Sequence, residues 1–383
     1  MPSKKKLQTP LFRPSANIRW WLIISCLMVY GAVVIGGLTR LTDSGLSIVE
    51  WQPISGIFPP LTMDAWQKTF KAYQAIPEFQ LIYPQMTLEE FKGIFWWEYI
   101  HRLWGRLIGL VFIIPFLFFW LRHKLPPYVK TGGTGISLLI MGQGLMGWLM
   151  VKSGLASRTD VNHLRLAAHL SLALLIYSWL LWLVFKVFSQ KLRNPGLPKM
   201  ALSPTNQQPI YLLGIIGLFL VSLTIISGSL VAGLDGGLIY NTFPLMGGRV
   251  LPEEFLQDRS FWYVLLEQPA GVQFLHRAMV FLSFGFGIFY WVKCHRHPDN
   301  KIRHATHMGL LAIIIQICIG VTTLLLVAPL PLALLHQTGA VIVLSNWVWI
   351  LYTLQNYNLS LKLNQSMAAT CNGQRNNVPP GNG

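Results

Sequence analysis

The sequence predicts an all-α polytopic membrane protein in which eight transmembrane helices form two pseudo-symmetric four-helix bundles, with both termini in the cytoplasm. Three observations predict this fold class: a composition that is 53% hydrophobic and only 11% charged, eight separate apolar runs, and a set of polar residues that recurs in the two halves. Soluble proteins are about one-quarter charged. The composition therefore excludes an ordinary soluble enzyme.

Each apolar run is close to the roughly 20 residues that a helix needs to cross the hydrocarbon core. Helix breakers separate the runs, for example the Pro126-Pro127 pair and the corner between Pro329 and Pro331. The first run has no evident small-residue cleavage site, so it is predicted to be a retained span and not a signal peptide. The predicted spans are 20–38, 94–121, 133–151, 162–185, 209–232, 269–292, 307–328 and 331–354.

The net charge of +16 is explained by orientation. With the amino terminus inside, 18 of the 30 Lys and Arg residues fall in the inner tails and connections and 8 on the outer side, while Asp299 is the only inner acid. The positive-inside rule then places both termini in the cytoplasm. No Arg- and Ser-rich transit peptide precedes the first span. We therefore expect a multi-pass protein of the bacterial cytoplasmic (inner) membrane and no nucleic-acid partner.

The two halves share a spaced set of residues, which indicates an internal repeat. Because each half has an even number of spans, both keep the same orientation, and a pseudo-two-fold axis along the membrane normal is expected. The equivalent pairs are Asp43 and Asp235, His101 and His276, Gln143 and Gln316, and His169 and His336.

The repeat defines the predicted domain organisation. The first outer loop, 41–93, is longer than its counterpart at 233–268, which places extra chain beside the first half's site. The predicted units are a basic cytoplasmic tail at 1–19, an N-terminal half at 20–188, a cytoplasmic linker at 189–208, a C-terminal half at 209–356 and a disordered tail at 357–383.

Four of the ten histidines lie at membrane depth, one on each even-numbered span: His101, His169, His276 and His336. A single intramembrane histidine is most often a structural hydrogen-bonding group. Four at repeat-equivalent positions favour metal ligation, and two per half suit the axial positions of a flat macrocycle better than a zinc cluster. The four cysteines show no CxxC spacing and predict neither a disulfide framework nor a zinc site. We therefore predict two haem sites, one per half.

Charged residues accompany these histidines. Arg102, Arg165 and Arg277 lie at the predicted outer depth, where they could pair with haem propionates or extend to the headgroups. Glu98 lies one turn before His101, whereas the equivalent position in the second half is the neutral Gln273. Glu98 could form an i,i+4 ion pair with Arg102, accept from a ligand histidine, or do acid–base work. This asymmetry favours the first half as the chemical site.

An ordered series of motifs extends from about residue 15 to 356. It comprises GGLTRLTDSGLS at 36–47, WQP at 51–53, PP at 59–60, FWWEYIHR at 95–102, RLAAH at 165–169, YNTFPLM at 240–246, FLHR at 274–277 and LHQ at 335–337. In this order the motifs resemble the haem A synthase family, specifically its proteobacterial and mitochondrial branch. Single motifs are weak, but the ordered set is highly specific.

The resemblance implies an oxidoreductase that converts haem O to haem A for terminal oxidases. One methyl group becomes a formyl group by successive hydroxylations, and the gem-diol loses water. It implies that His276 and His336 are axial ligands of a bound haem b, that His101 and His169 contact the substrate haem, and that Glu98 is the essential acid. The candidate partners are haem O, the enzyme that farnesylates haem, oxidase assembly factors, membrane lipid and a second copy of the chain.

Two departures from the family pattern stand out: the outer-loop cysteine pair of Gram-positive members is missing, and Gly247 occupies a position where an acid is expected. Two other functions fit parts of the pattern. A di-haem b-type cytochrome that passes electrons from quinol would keep both haems permanently. A transporter with parallel repeats would place its polar groups near the midplane, whereas here they cluster toward the outer surface.

Overall fold

A computed structural model of the chain describes residues 14–52, 55–157, 159–189 and 208–375. Among the predictions from sequence, the tail at 1–13, Pro53, Arg158, most of the 189–208 linker and residues 376–383 lie outside these ranges.

The described residues are all-helical and contain eight helices long and apolar enough to cross a membrane. The predicted number of spans and the all-α polytopic fold class are thus confirmed. Three shorter helices are α2 (Met63–Gln74), α3 (Pro77–Leu81) and α8 (Phe261–Glu267). The long helices are α1 (Ala16–Leu41), α4 (Leu88–Leu121), α5 (Pro127–Ser157), α6 (His163–Ser189), α7 (Gln208–Gly233), α9 (Pro269–Cys294), α10 (Asn300–Leu325) and α11 (Leu330–Arg375).

Most helix boundaries differ from the predicted spans, and two of the differences bear on the fold. Helix α4 begins at Leu88 and not at 94, because Thr87 and Glu90 form a reciprocal capping box that satisfies the free amides of the first turn. The last helix continues to Arg375, where the sequence predicts a disordered tail from residue 357. No proline interrupts the chain between 357 and 375, so the helix meets no obligatory breaker there.

Contacts divide the described chain into two compact units. One contains the described residues through Val161 and the part of α6 from Leu172 onward; the other contains Asn162–Ser171 and the described residues from 208. The sequence instead predicts a division at the 189–208 linker. The first turns of α6 belong to the second unit because Ala167 packs in a buried cluster with Leu230 and Val272.

The second unit is a closed four-helix bundle. Helix α7 packs on α9, α9 on α10, α10 on α11, and α11 on α7. Glycines allow close approach of large rings: a Cβ at Gly217 would lie only 2.0 Å from the Trp347 ring, as expected where small residues line helix interfaces in membranes. In the first unit, α1 packs on α4 and α4 on α5. The repeat is also visible in the backbone, since Asp43 and Asp235 both adopt positive φ, 49° and 51°.

The first connecting segment, residues 42–87, is folded. Its helices α2 and α3 surround a buried cluster that includes Tyr73 and Ile76 and continues onto Phe91 and Phe95 of α4. The sequence predicts only a long loop here, because its apolar residues are interspersed with polar ones. The segment is therefore a small apolar core seated on the end of α4.

A carboxyl group is buried inside this segment. Glu78 of α3 is only 4% exposed, and its Oε2 has no hydrogen-bond partner among the described residues. Burial raises the pKa of Glu78 to about 8; the nearby Tyr73 hydroxyl opposes this shift, and the negative charges of Asp160, Asp43 and Glu98 reinforce it. Glu78 is accordingly protonated at neutral pH.

We predict that the first connecting segment loosens as the pH rises. Because the folded pKa of Glu78 lies above its unfolded value of about 4.3, its contribution to stability is complete below that value and is lost as the pH rises to about 8. The loss is at most about 1.4 kcal/mol per pH unit. Limited proteolysis within 42–87 should therefore be faster at pH 9 than at pH 6 in the wild type. Glu78→Gln should show no such change.

The exposed Glu50 of the same segment provides the matched control, since Glu50→Gln should keep the wild-type pH dependence. An unchanged pH dependence in Glu78→Gln would contradict the assignment.

Candidate functional site

Two of the four predicted histidines meet inside the second unit. His276 on α9 and His336 on α11 place their ring centroids 6.3 Å apart with the planes at 86°. Both side chains are half-buried within the bundle. The sequence predicted this pair from the repeat, and the bundle brings the two rings together.

Each ring is held on its Nδ1 side. His276 Nδ1 lies 3.1 Å from the carbonyl oxygen of Thr224 and 3.0 Å from Ser227 Oγ. Because that carbonyl can only accept, Nδ1 carries the hydrogen and Nε2 keeps its lone pair. His336 Nδ1 lies 3.0 Å from Gln316 Nε2, which also donates to the His336 carbonyl at 2.7 Å. Such outer contacts fix ligand rings in metal sites.

The separation of the two rings fits an axial ligand pair. A metal–nitrogen bond of about 2 Å on each side, plus about 1.1 Å from each nitrogen to its ring centroid, requires about 6.2 Å in all. The observed distance is 6.3 Å. Edge-to-face packing of two rings also occurs at such distances, but the Nδ1 hydrogen bond of His276 to the Thr224 carbonyl, which leaves Nε2 with its lone pair, is what a ligand additionally needs. The donor set of His276 and His336 therefore fits a bis-imidazole haem.

Glycines face the histidine rings in both units. A Cβ at Gly228 would lie 3.0 Å from Cε1 of His276, and one at Gly320 would lie 2.5 Å from Cε1 of His336. In the first unit, a Cβ at Gly36 would lie 3.1 Å from Nε2 of His101. Gly36 and Gly228 are separated by the same 192 residues as Asp43 and Asp235. The repeat thus conserves the helix approach beside the histidine.

The first-half histidines are placed differently. His101 lies on α4 in the first unit, whereas His169 lies in the part of α6 that belongs to the second unit. At the repeat offset, Thr224 and Ser227, which contact His276, align with Ala32 and Ile35. Helix α4 also has open space at Gly105 and Gly109, where an added Cβ would meet nothing within 4 Å.

Arg102 and Glu98 fasten the first connecting segment to α4. The Glu98 side chain is buried, with 2% exposed; its Oε1 accepts from Arg102, Nη2 to Oε1 being 2.5 Å. Its Oε2 accepts from Ser47 Oγ and from the Ile48 amide, both at 2.7 Å. Arg102 Nη2 donates to the Ile48 carbonyl at 2.7 Å. The predicted ion pair with Arg102 is thus confirmed, and both carboxylate oxygens of Glu98 are engaged by the protein.

Arg277 and Gln273 form the equivalent contacts in the second unit, between α9 and the segment that follows α7. We call the contacts of Glu98 and Arg102 the first clasp and those of Gln273 and Arg277 the second clasp. Gln273 Nε2 donates to the carbonyls of Gly236 and Ile239 at 2.9 and 2.7 Å, and its Oε1 accepts from Arg277. Arg277 Nη2 also donates to the Tyr240 carbonyl at 2.8 Å. The connecting segment is again tied to the helix end by an arginine and the residue four positions before it.

The hydrogen-bonding groups that each connecting segment presents explain why position 98 is a glutamate and the equivalent position 273 is a glutamine. In the first unit the segment presents two donors, the Ser47 hydroxyl and the Ile48 amide, which a carboxylate can accept together. In the second unit it presents two carbonyls, which require the donor of an amide side chain. A difference that sequence alone associates with chemistry therefore has a structural cause.

Two further residues singled out from the sequence, Arg165 and Gly247, lie outside the two clasps. Arg165 is exposed on the first turn of α6. Gly247, found where the family pattern has an acid, adopts φ of 60° in a tight turn, and its amide donates to Thr242 Oγ1. Sequence reasoning missed Ser227 and Thr224 as supports of His276; the Ser227 hydroxyl was an available signal, whereas Thr224 contributes its main-chain carbonyl, which no side-chain pattern reveals.

His163 is 1% exposed, and its Nε2 donates to the Leu266 carbonyl at 3.0 Å. The sequence left its role open. The structure makes it an anchor of the start of α6 on the second unit.

The family model that matches this chain and the known proteins most similar in sequence point to the same family. Residues 19–348 match the family model COX15-CtaA, described as a cytochrome oxidase assembly protein. A protein named Heme A synthase from Rhodospirillum centenum is 42% identical over 344 residues, which is 88% of this chain and 87% of that protein. Proteins of the same name from Maricaulis maris and Nitrosospira multiformis are 43% and 40% identical over 331 and 364 residues, or 86% and 93% of this chain and 93% and 97% of theirs.

The two clasps predict that a substitution in one of them speeds amide hydrogen exchange only in the segment which that clasp holds. Glu98→Gln should speed hydrogen exchange at Ile48 about tenfold or more, because hydrogen bonds to charged groups contribute about 1.5–3 kcal/mol and an amide offers one acceptor oxygen to two donors. Gln273→Glu should instead loosen Gly236–Tyr240, since a carboxylate would face two carbonyls. Exchange mass spectrometry on both segments measures this.

The control is Glu89→Gln, which alters an exposed carboxylate on the same helix and should leave both segments unchanged. Equal loosening of both segments in either variant would contradict separate clasps.

Proposed function

Since this chain belongs to the COX15-CtaA family of cytochrome oxidase assembly proteins, we propose that it is a haem A synthase, an enzyme that acts on haem O. The observation that supports this proposal most directly is a sequence identity of about 40% to proteins of that name over most of the chain. Together with its eight spans and bacterial relatives, this makes it a multi-pass protein of the bacterial inner membrane.

The reaction we propose is an oxidation of one porphyrin methyl group. Successive hydroxylations convert the methyl of haem O to a gem-diol, which loses water to leave the formyl group of haem A. We propose that the enzyme that farnesylates haem supplies the substrate and that oxidase assembly factors receive the product. Self-association of the chain and cytoplasmic termini belong to the same proposal; the latter rests on the basic surplus of the inner connections.

The second half is proposed to hold a resident haem b through His276 and His336. The fit of their ring separation and the fixed Nδ1 of His276 support this assignment. When bound, such a haem supplies one-electron redox chemistry. Ser227, Thr224 and Gln316 keep both rings oriented, so that the site is formed before the cofactor enters.

The first half is proposed to receive the substrate haem at His101 and His169. Open space along α4 at Gly105 and Gly109 supports access of a porphyrin edge beside His101. Glu98 acts there as a positioning residue, because both of its oxygens hold the connecting segment and Arg102. Of the predicted propionate partners, Arg165 is exposed at the start of α6, whereas Arg102 and Arg277 use most of their N–H groups in the hydrogen bonds described above.

We predict that membranes containing this chain convert haem O. Expression in a host that makes haem O but no haem A should yield hydroxylated and formyl haems on extraction, measured by chromatography. Glu98→Gln should lower conversion at least tenfold while keeping the haem b spectrum, because it shifts the connecting segment and not the second unit. A protein holding two b haems, with no haem O product, would support the di-haem cytochrome and contradict the proposal.

We further predict that the two histidine pairs separate by spectrum and turnover. His276→Ala and His336→Ala should each remove most of the resident haem absorption, since one axial bond is lost from a buried site. His101→Ala and His169→Ala should retain that absorption and lose conversion.

The matched control is His304→Ala, which changes a histidine of the same bundle that lies against Trp349, 5.9 Å between ring centroids. Its haem content should equal that of the wild type. Loss of the resident haem in His101→Ala would contradict the division of roles.

A further inference from the structure

A cavity opens beside the first clasp. It has a volume of about 80 Å³ and is lined by Val49, Trp51, Arg102, Trp148, Val151, Lys152 and Leu155. This is well below the volume of pockets that hold a whole drug-sized molecule, roughly 300 Å³ and above. The cavity is therefore sized for one arm of a larger ligand and not for a tetrapyrrole.

The lining combines indole walls with two cations and no acid. Lys152 Nζ lies 4.9 Å from the centroid of the Trp148 ring, and Arg102 Cζ lies 5.7 Å from the centroid of the Trp51 ring. Rings that face cations in this way hold them at the cavity wall. A ligand group entering here meets positive charge between flat apolar surfaces.

The two cations differ in how much of their charge is already used. Arg102 is paired with Glu98 and donates also to the carbonyls of Ile48 and Glu50, which leaves one of its five N–H groups, on Nη1, without a protein acceptor among the described residues. Lys152 is exposed and forms no ion pair in the described part of the chain. The uncompensated positive charge of the cavity is therefore that of Lys152.

The second unit lacks this arrangement. At the offset of 173 residues that aligns Gln143 with Gln316, Lys152 corresponds to Leu325 and Trp148 to Val321. The cation and its indole are thus particular to the half proposed to receive substrate. A general anchoring role at the membrane surface would not require them in one half only.

We propose that this cavity binds a carboxylate side arm of the substrate haem between Lys152 and the free Nη1 hydrogen of Arg102. The proposal rests on the proposed function, since it assigns the orientation of haem O in the first half. The ethyl chain of the propionate lies against Val49, Val151 and Leu155, and the carboxylate faces the two cations. The Trp51 ring covers the bound side arm from the first connecting segment. The hydrogen bonds of Glu98 hold that segment in place.

The test compares two ligands and two lysines. Binding of haem O and of its dimethyl ester is titrated by absorbance with purified holoprotein in neutral detergent without anionic lipid. Lys152→Gln should weaken binding of the free acid about fivefold, as for a partly exposed ion pair. It should leave binding of the ester unchanged, because the ester carries no negative charge. Lys152→Arg should restore binding of the acid.

Lys92→Gln is the matched control, since Lys92 also lies over an indole, 5.6 Å from the Trp66 ring centroid, but does not line the cavity. It should bind both ligands as the wild type does. Equal weakening for acid and ester, or no weakening for either, would overturn the proposal. So would a Lys152 effect seen only in phosphatidylglycerol vesicles and not in phosphatidylcholine vesicles, which would assign the cavity to a lipid headgroup.

Failure of the proposed function and failure of the carboxylate site give different results. If the wild type neither binds nor converts haem O, the proposed function is wrong. If the wild type converts haem O while Lys152→Gln binds the free acid normally, only the carboxylate site is wrong.

Discussion

The structure depends on how each connecting segment is fastened to the helix that carries a histidine. Polar backbone groups that meet the end of a membrane helix must find partners within the protein. In both halves an arginine directly after the histidine, with the side chain four residues earlier, provides those partners. The histidine is therefore set on a helix whose exposed end is covered and fixed.

This constraint also explains how two repeats diverged without losing their geometry. The first connecting segment turns donors toward α4 and is matched by Glu98, while the second turns carbonyls toward α9 and is matched by Gln273. The residues behind the histidines diverged as well, from Thr224 and Ser227 to Ala32 and Ile35. A firmly held pair of histidines suits a resident cofactor, and open space at Gly105 and Gly109 of α4 suits a ligand that must enter and leave.

Much of the fold followed from the sequence because membrane burial is a local requirement. About 20 apolar residues suffice to identify a span, and all eight were identified in this way. The repeat then paired His276 with His336 before any distance was known. The folded first connecting segment was not predicted, since the helices α2 and α3 acquire their stability from packing around Tyr73 and Phe91, far apart in sequence.

The sequence by itself determined the number of spans, the repeat and the identities of the histidines, because hydropathy and spacing are properties of contiguous chain. Only the tertiary structure decided that Glu98 binds Ser47 and Ile48, that Nδ1 of His276 faces Thr224, and that Lys152 shares a cavity with Arg102. Each of these joins residues from different helices or segments. Hydrogen-bond polarity across such contacts depends on which atoms the packing brings together, and no local pattern records it.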